Sequence, residues 1–165
     1  MNDILKQISS YNLFTNLFPG AAFCILLSEF FGHPLILENL FAAFFFYYFI
    51  GIVVSRVGSL FVEPVLRRFG LIGDQTYEDY VIGSVVDADL KILSETSTIY
   101  RTLVALPICI GIFQIGYVFA QSSALSSTVR AGVVLAVLLL LFTAAYWKQS
   151  RYVSQRISVH GGDKK

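Results

Sequence analysis

The sequence predicts an all-α integral membrane protein with four transmembrane helices and a helical cytoplasmic connection between spans two and three. Three observations predict it. Hydrophobic residues make up 56% of the 165 positions and charged residues only 14%, against about 25% charge in soluble globular domains. Four stretches are long and apolar enough to cross the hydrocarbon core, which takes roughly 17–25 residues. Basic residues gather on one side of those stretches. The mean hydropathy of +0.69 agrees. This composition excludes a disordered tail, a basic nucleic-acid module and a disulfide scaffold, and it argues against an ordinary soluble enzyme.

The elements follow in order. The opening Met1-Asn2-Asp3-Ile4-Leu5-Lys6 lacks the basic region and small-residue cleavage site of a signal peptide, so the apolar segments are expected to stay in the mature chain. Residues 2–12 read as a short helix on the inner membrane surface. Asn2 or Asp3 would cap it, and Ile4, Leu5, Ile8 and Tyr11 form its apolar face. A first span fits Phe14 to Phe31, with Pro19 near its start, where a missing donor costs little. Gly32 to Asn39 is a short turn. A second span fits Leu40 to Val62 and must carry Arg56. The long connection opens with turn residues at Phe69-Gly70-Leu71-Ile72-Gly73. A helical pattern runs from Tyr77, with a break near Gly83 and Ser84 and a cap at Asp87 or Asp89. No breaker separates Leu90 from Leu106, so that helix is expected to run from the cytosol into a third span at Leu103 to Ala120, with a kink at Pro107. A Ser-rich turn leads to a fourth span at Ala131 to Trp147 and a basic tail. The chain thus divides into 1–66, 67–102, 103–147 and 148–165.

Orientation follows from the basic residues. Lys6, Arg67, Arg68, Lys91, Arg101, Lys148, Arg151, Arg156, Lys164 and Lys165 would share one side, and the short turns contribute only Arg130. Both termini and the long connection are therefore expected to be cytoplasmic. Tyr146 and Trp147 suit the inner interface.

Polar residues at membrane depth are the first functional candidates, because a charge at the helix centre costs roughly 2.5–3.5 kcal/mol on an insertion scale. Arg56 lies roughly 24 Å along the second span at 1.5 Å per residue. It reads as an interfacial anchor, as a pore or vestibule charge, or as the partner of a carboxylate. Glu63, seven residues later on the same helical face, is one such carboxylate. A neighbouring subunit is another source. Glu29 ends the first span at the headgroups or lines an outer mouth. Gln114 sits near the middle of the third span and either bonds between helices or lines a pore. Gly51, Ser55 and Ser59 form a small-residue stripe for close helix packing, and Arg56 borders it, which favours protein over lipid as its neighbour. The aromatic run Phe44 to Phe49 reads as lipid contact and packing.

A second set lies on the cytoplasmic side. Arg67, Arg68, Lys91, Arg101, Lys148, Arg151 and Arg156 are interleaved with Tyr77, Tyr80, Tyr100 and Tyr152. Cations that hold phosphates beside rings that stack on bases suit a single-stranded nucleic acid or nucleotide. The positive-inside rule with interfacial tyrosines explains the same residues without a ligand.

No catalytic residue, metal site or cofactor is expected. Asp87-Ala88-Asp89 lacks the downstream glycine and glutamate of a calcium loop, and no phosphate loop occurs. Cys24 and Cys109 lie singly in apolar runs and read as buried free thiols. His33 and His160 read as surface residues of a loop and a tail. The protein is expected not to be an enzyme.

Several motifs carry a resemblance. Tyr11-Asn12-Leu13-Phe14 with Leu17-Phe18-Pro19-Gly20, Tyr48-Phe49-Ile50-Gly51, Arg56-Val57-Gly58-Ser59-Leu60 and Glu63-Pro64 form its first half. Tyr77-Glu78-Asp79-Tyr80, Asp89-Leu90-Lys91-Ile92-Leu93 and Tyr100-Arg101-Thr102 form its second. Over about residues 10–105 the chain resembles small four-span bacterial membrane proteins found beside antiphage genes, and is similar to the channel effectors of Hailong-type defence. That resemblance implies a partner nucleotidyltransferase whose DNA oligomers hold an oligomeric channel closed until infection. It makes the basic and aromatic residues above candidate oligomer contacts, and Arg56 and Gln114 candidate pore residues. The expected function is a homo-oligomeric ion channel, a tetramer in the bilayer, gated by a nucleotide or DNA oligomer and depolarising the bacterial inner membrane. A non-conducting anchor for a soluble defence or signalling protein is the alternative. A phage holin is a third reading, disfavoured by the long connection.

Overall fold

The computed structural model describes the backbone of residues 2–71, 89–122 and 126–161, and the side chains of residues 13–71, 93–122 and 126–154. Those residues form an all-α protein with four helical rods long and apolar enough to cross a membrane. The elements are α1 (Asn2–Phe31), α2 (Leu40–Val57), a π turn (Gly58–Val62), α3 (Glu63–Arg68), α4 (Asp89–Ser122) and α5 (Ser127–Gly161). The chain is a multi-pass membrane protein by the length and composition of these rods. The expected break at Gly83 and Ser84 and the caps at Asn2, Asp3, Asp87 and Asp89 lie outside the described side chains.

The first rod differs from expectation. Residues 2–12 are not a separate surface helix but the first turns of α1, which continues unbroken to Phe31. No glycine or proline precedes Pro19 to stop it, so Pro19 sits in the helix interior. A proline there removes one backbone bond and costs about 3 kcal/mol. Tight packing begins at the same level. Gly20 lies against the Tyr47 carbonyl of α2, and Gly51 against the Asn16 carbonyl of α1, so a Cβ on either glycine would overlap backbone. The reciprocal glycines let the two backbones touch, as small residues do in membrane helix pairs.

Asn39 starts α2, its Oδ1 accepting from the Phe41 and Ala42 amides at 3.0 and 3.1 Å. The second rod ends past the expected Val62, at Arg68. Gly70, at φ +69°, then reverses the chain. The Gly70 amide bonds the Arg67 carbonyl and the Leu71 amide the Leu66 carbonyl, both at 3.0 Å, which is a Schellman cap. Arg67 and Arg68 thus belong to the last helical turn rather than to a loop.

As expected, α4 enters its span without a break, and it runs through Pro107. Fully buried Thr102 satisfies its hydroxyl on the Thr98 carbonyl, four residues back, at 2.8 Å. The core lies where α1, α2, the π turn and α4 meet, and comprises Phe23, Cys24, Leu27, Val54, Val62, Ala105 and Leu106. Both cysteines are free, Cys24 fully buried and Cys109 partly so. The fourth rod, α5, packs on α2. Most of its apolar face, including Val134, Leu135, Leu139 and Leu140, is exposed to whatever surrounds the bundle. Beyond its span, α5 continues as helix to Gly161.

Candidate functional site

The π turn positions the main polar cluster. Its closing bond runs from the Glu63 amide to the Gly58 carbonyl, five residues back. Such a turn holds one residue more than an α turn. Glu63 is therefore rotated off the face that seven-residue spacing would share with Arg56. Pro64 follows at once and has no N–H. In the five-residue pattern, Pro64 is where the Ser59 carbonyl would find its donor. Lys148 of α5 fills the place. Its ammonium donates to the Ser59 carbonyl at 2.6 Å, to Ser59 Oγ at 2.9 Å and to Glu63 Oε2 at 3.0 Å. All three ammonium protons are used.

Gly58 brings in the other helix. A Cβ there would meet Ala105 Cβ and the Arg101 carbonyl at 3.3 Å, so the bare glycine lets α4 approach. Arg101 Nη1 then reaches Glu63 Oε2 at 2.7 Å. Arg67, one turn along α3, donates to Glu63 Oε1 at 3.2 Å. One carboxylate, its side chain 13% exposed, thus joins three cations drawn from α3, α4 and α5. Charge-assisted bonds of this kind are short and strong, and removing one partner strands the others. Beside the cluster, the Tyr152 ring lies 5.7 Å from the Lys148 ammonium, and the Arg151 guanidinium lies 5.1 Å from the Trp147 ring.

Four of the expected ligand contacts, Arg67, Arg101, Lys148 and Tyr152, are therefore brought together around Glu63. Arg68 and Tyr100 are exposed at the same end of the bundle. Lys91, Arg156, Tyr77 and Tyr80 lie outside the described side chains. Ser59 was legible only as a packing residue. Pro64, five positions later, was the signal for its second role.

Arg56 has no carboxylate partner within its own chain among the described residues. It does not pair with Glu63, whose oxygens are taken by Arg67, Arg101 and Lys148. Arg56 is exposed on α2, turned away from the other helices of its own chain, and forms no hydrogen bond or ion pair among the described residues. The stripe it borders is spent elsewhere, with Gly51 on α1 and Ser59 on α5.

Gln114 belongs to the opposite end of the bundle. Its Oε1 lies 2.9 Å from His33 Nε2. His33 is not a surface residue: it is 7% exposed, with its ring 4.3 Å from that of Tyr117 and 5.4 Å from that of Phe113. The reason is the turn before it. Gly32 adopts φ +68°, and the His33 amide reaches back to the Leu27 carbonyl at 3.3 Å, which folds the ring inward. Gln114 thus serves as a bond between α4 and the turn after α1. Glu29 is exposed at that end and has no polar partner among the described residues.

No cluster of metal-ligating side chains occurs among the described residues. Comparison with known protein families, with curated proteins and with solved structures finds no match.

Proposed function

We propose that the chain is one subunit of a homo-oligomeric ion channel, gated at the Glu63 end by an anionic nucleotide or DNA oligomer. The single observation that carries this reading is Arg56. It stands seven residues before Glu63, which is about 10 Å deeper along the helix, and it is exposed without a partner. Facing lipid, its charge costs up to a few kcal/mol unless the side chain snorkels to the interface, which is the interfacial-anchor reading. Facing dry protein, it needs a carboxylate, and Glu63 is already engaged. A water-filled path between copies hydrates the guanidinium and removes both costs. Side chains of α1, α2 and α4 fill the core of one chain, so such a path lies between subunits. Closed cyclic symmetry is the usual form, and a tetramer is the proposed assembly.

The basic residues orient the protein. Arg67, Arg68, Arg101, Lys148 and Arg151 share the Glu63 end, and Arg130 lies at the other. The positive-inside rule then makes the Glu63 end cytoplasmic, and the bacterial inner membrane as the location rests on the resemblance of residues 10–105. Gating fits α4, a rod from Asp89 to Ser122 that is tied to α3 through Arg101. A ligand that engages Arg68, Arg151 and Tyr100 must bind the closed and open assemblies differently, because equal affinity shifts nothing. The role as an antiphage effector that depolarises the membrane rests on the resemblance of residues 10–105.

Ion flux from proteoliposomes tests the reading. Arg56→Ala should change the flux while leaving membrane insertion and oligomer size intact. An unchanged flux would remove Arg56 from the path. A folded wild-type oligomer without flux would leave the anchor alternative.

A further inference from the structure

We infer that the path conducts anions in preference to cations, with Arg56 setting the preference. This rests on the channel reading and adds the class of ion.

Charge is unevenly distributed along the rods. In α1 the described span carries only Glu29, at the His33 end. In α2 and α3 the sequence of charges is Arg56, Glu63, Arg67 and Arg68. Among the described side chains, α4 carries Glu95 and Arg101, and α5 carries Arg130, Lys148 and Arg151. Glu63 is therefore the carboxylate nearest to Arg56 along its own rod, and it is saturated. Its Oε1 is held by Arg67, and its Oε2 by Arg101 and Lys148. Three cations against one carboxylate leave that cluster positive, and Arg68 and Arg151 add to it. Glu29 and Glu38 stand at the far end of the rods, as does Arg130. Among the described residues, nothing offsets Arg56 at its own depth.

Symmetric assembly would repeat this guanidinium around the axis. A ring of arginines in a path with low-dielectric walls attracts anions and repels cations, as arginine and lysine rings do in anion pores. The positive Glu63 end would concentrate anions at the cytoplasmic mouth. Of the carboxylates in the connection, Glu95 stands about 9 Å from Arg101 along α4, close to one screening length. Asp89 begins α4 about 18 Å from Arg101 along the helix, beyond the screening length of about 8 Å at physiological salt. Asp74, Glu78, Asp79 and Asp87 lie outside the described residues, and the experiment below reads their effect directly.

The test is the reversal potential of the full-length protein in planar bilayers across a potassium chloride gradient. The wild type should reverse on the chloride side of zero, with a severalfold chloride preference. Arg56→Lys should keep that sign. Arg56→Glu, in an assembly of unchanged size, should invert it. A wild-type current that prefers potassium would overturn this inference and leave the channel reading standing. A preference that Arg56→Glu leaves untouched would overturn the role given to Arg56. No current from a folded oligomer would remove both.

Discussion

The Lys148 ammonium donates to the Ser59 carbonyl at 2.6 Å, supplying the donor that Pro64 lacks. A side chain of the fourth rod thereby completes the backbone of the second. The same ammonium reaches Glu63, so a backbone defect and an ion network are joined at one atom. The network ties together rods that otherwise touch along narrow seams, at the end where a cytoplasmic ligand would act.

Glu63→Gln should destabilise the fold by about 3 kcal/mol, because it leaves Arg101 and Lys148 close together without their shared carboxylate. Unfolding of the protein in micelles, followed by near-ultraviolet circular dichroism, measures this. A change below about 1 kcal/mol would mean that the cluster behaves as an exposed surface pair.

Pro64→Ala restores an N–H beside the Ser59 carbonyl. Lys148→Met should then cost less in that background than in the wild type, by about 1 kcal/mol, within the usual range for contacting residues. A double-mutant cycle on the unfolding free energies gives the coupling. Strict additivity would show that Lys148 does not compensate for the proline.

Gly51→Ala should destabilise by about 1–3 kcal/mol, the usual cost of overpacking. Its added methyl meets the Asn16 backbone, which has no soft side chain to yield. Gly111→Ala is the control. Nothing lies within 4 Å of its Cβ position, and helix propensity favours alanine there by about 1 kcal/mol. Equal effects at the two sites would contradict the close α1–α2 approach.

His33→Ala should leave Gln114 without its partner and loosen the turn after α1. The coupling between His33→Ala and Gln114→Leu should be about 0.6 kcal/mol, typical of polar bonds between membrane helices. Amide hydrogen exchange across Gly32 to Asn39 should quicken in the single His33 variant. Unchanged exchange would show that the ring does not anchor the turn.

The fold was legible because hydropathy alone decides it. Charge-free runs located all four rods, and the absence of a breaker after Leu90 gave the continuous α4. The site was legible in composition and not in connectivity. Arg101 and Lys148 stand 38 and 85 residues from Glu63, and no local spacing says that they meet. The π turn hides for another reason: a seven-residue interval assumes an unbroken α period, and one extra residue in a turn defeats it. His33 was misplaced because a loop histidine is ordinarily wet, whereas a left-handed glycine turned this one inward.

The most direct test of the central claim is ion flux from proteoliposomes of the purified full-length protein, with and without short single-stranded DNA oligomers. The account predicts a flux that the oligomers suppress, in vesicles that retain large macromolecules. A correctly folded oligomer that passes no ions under either condition would contradict it.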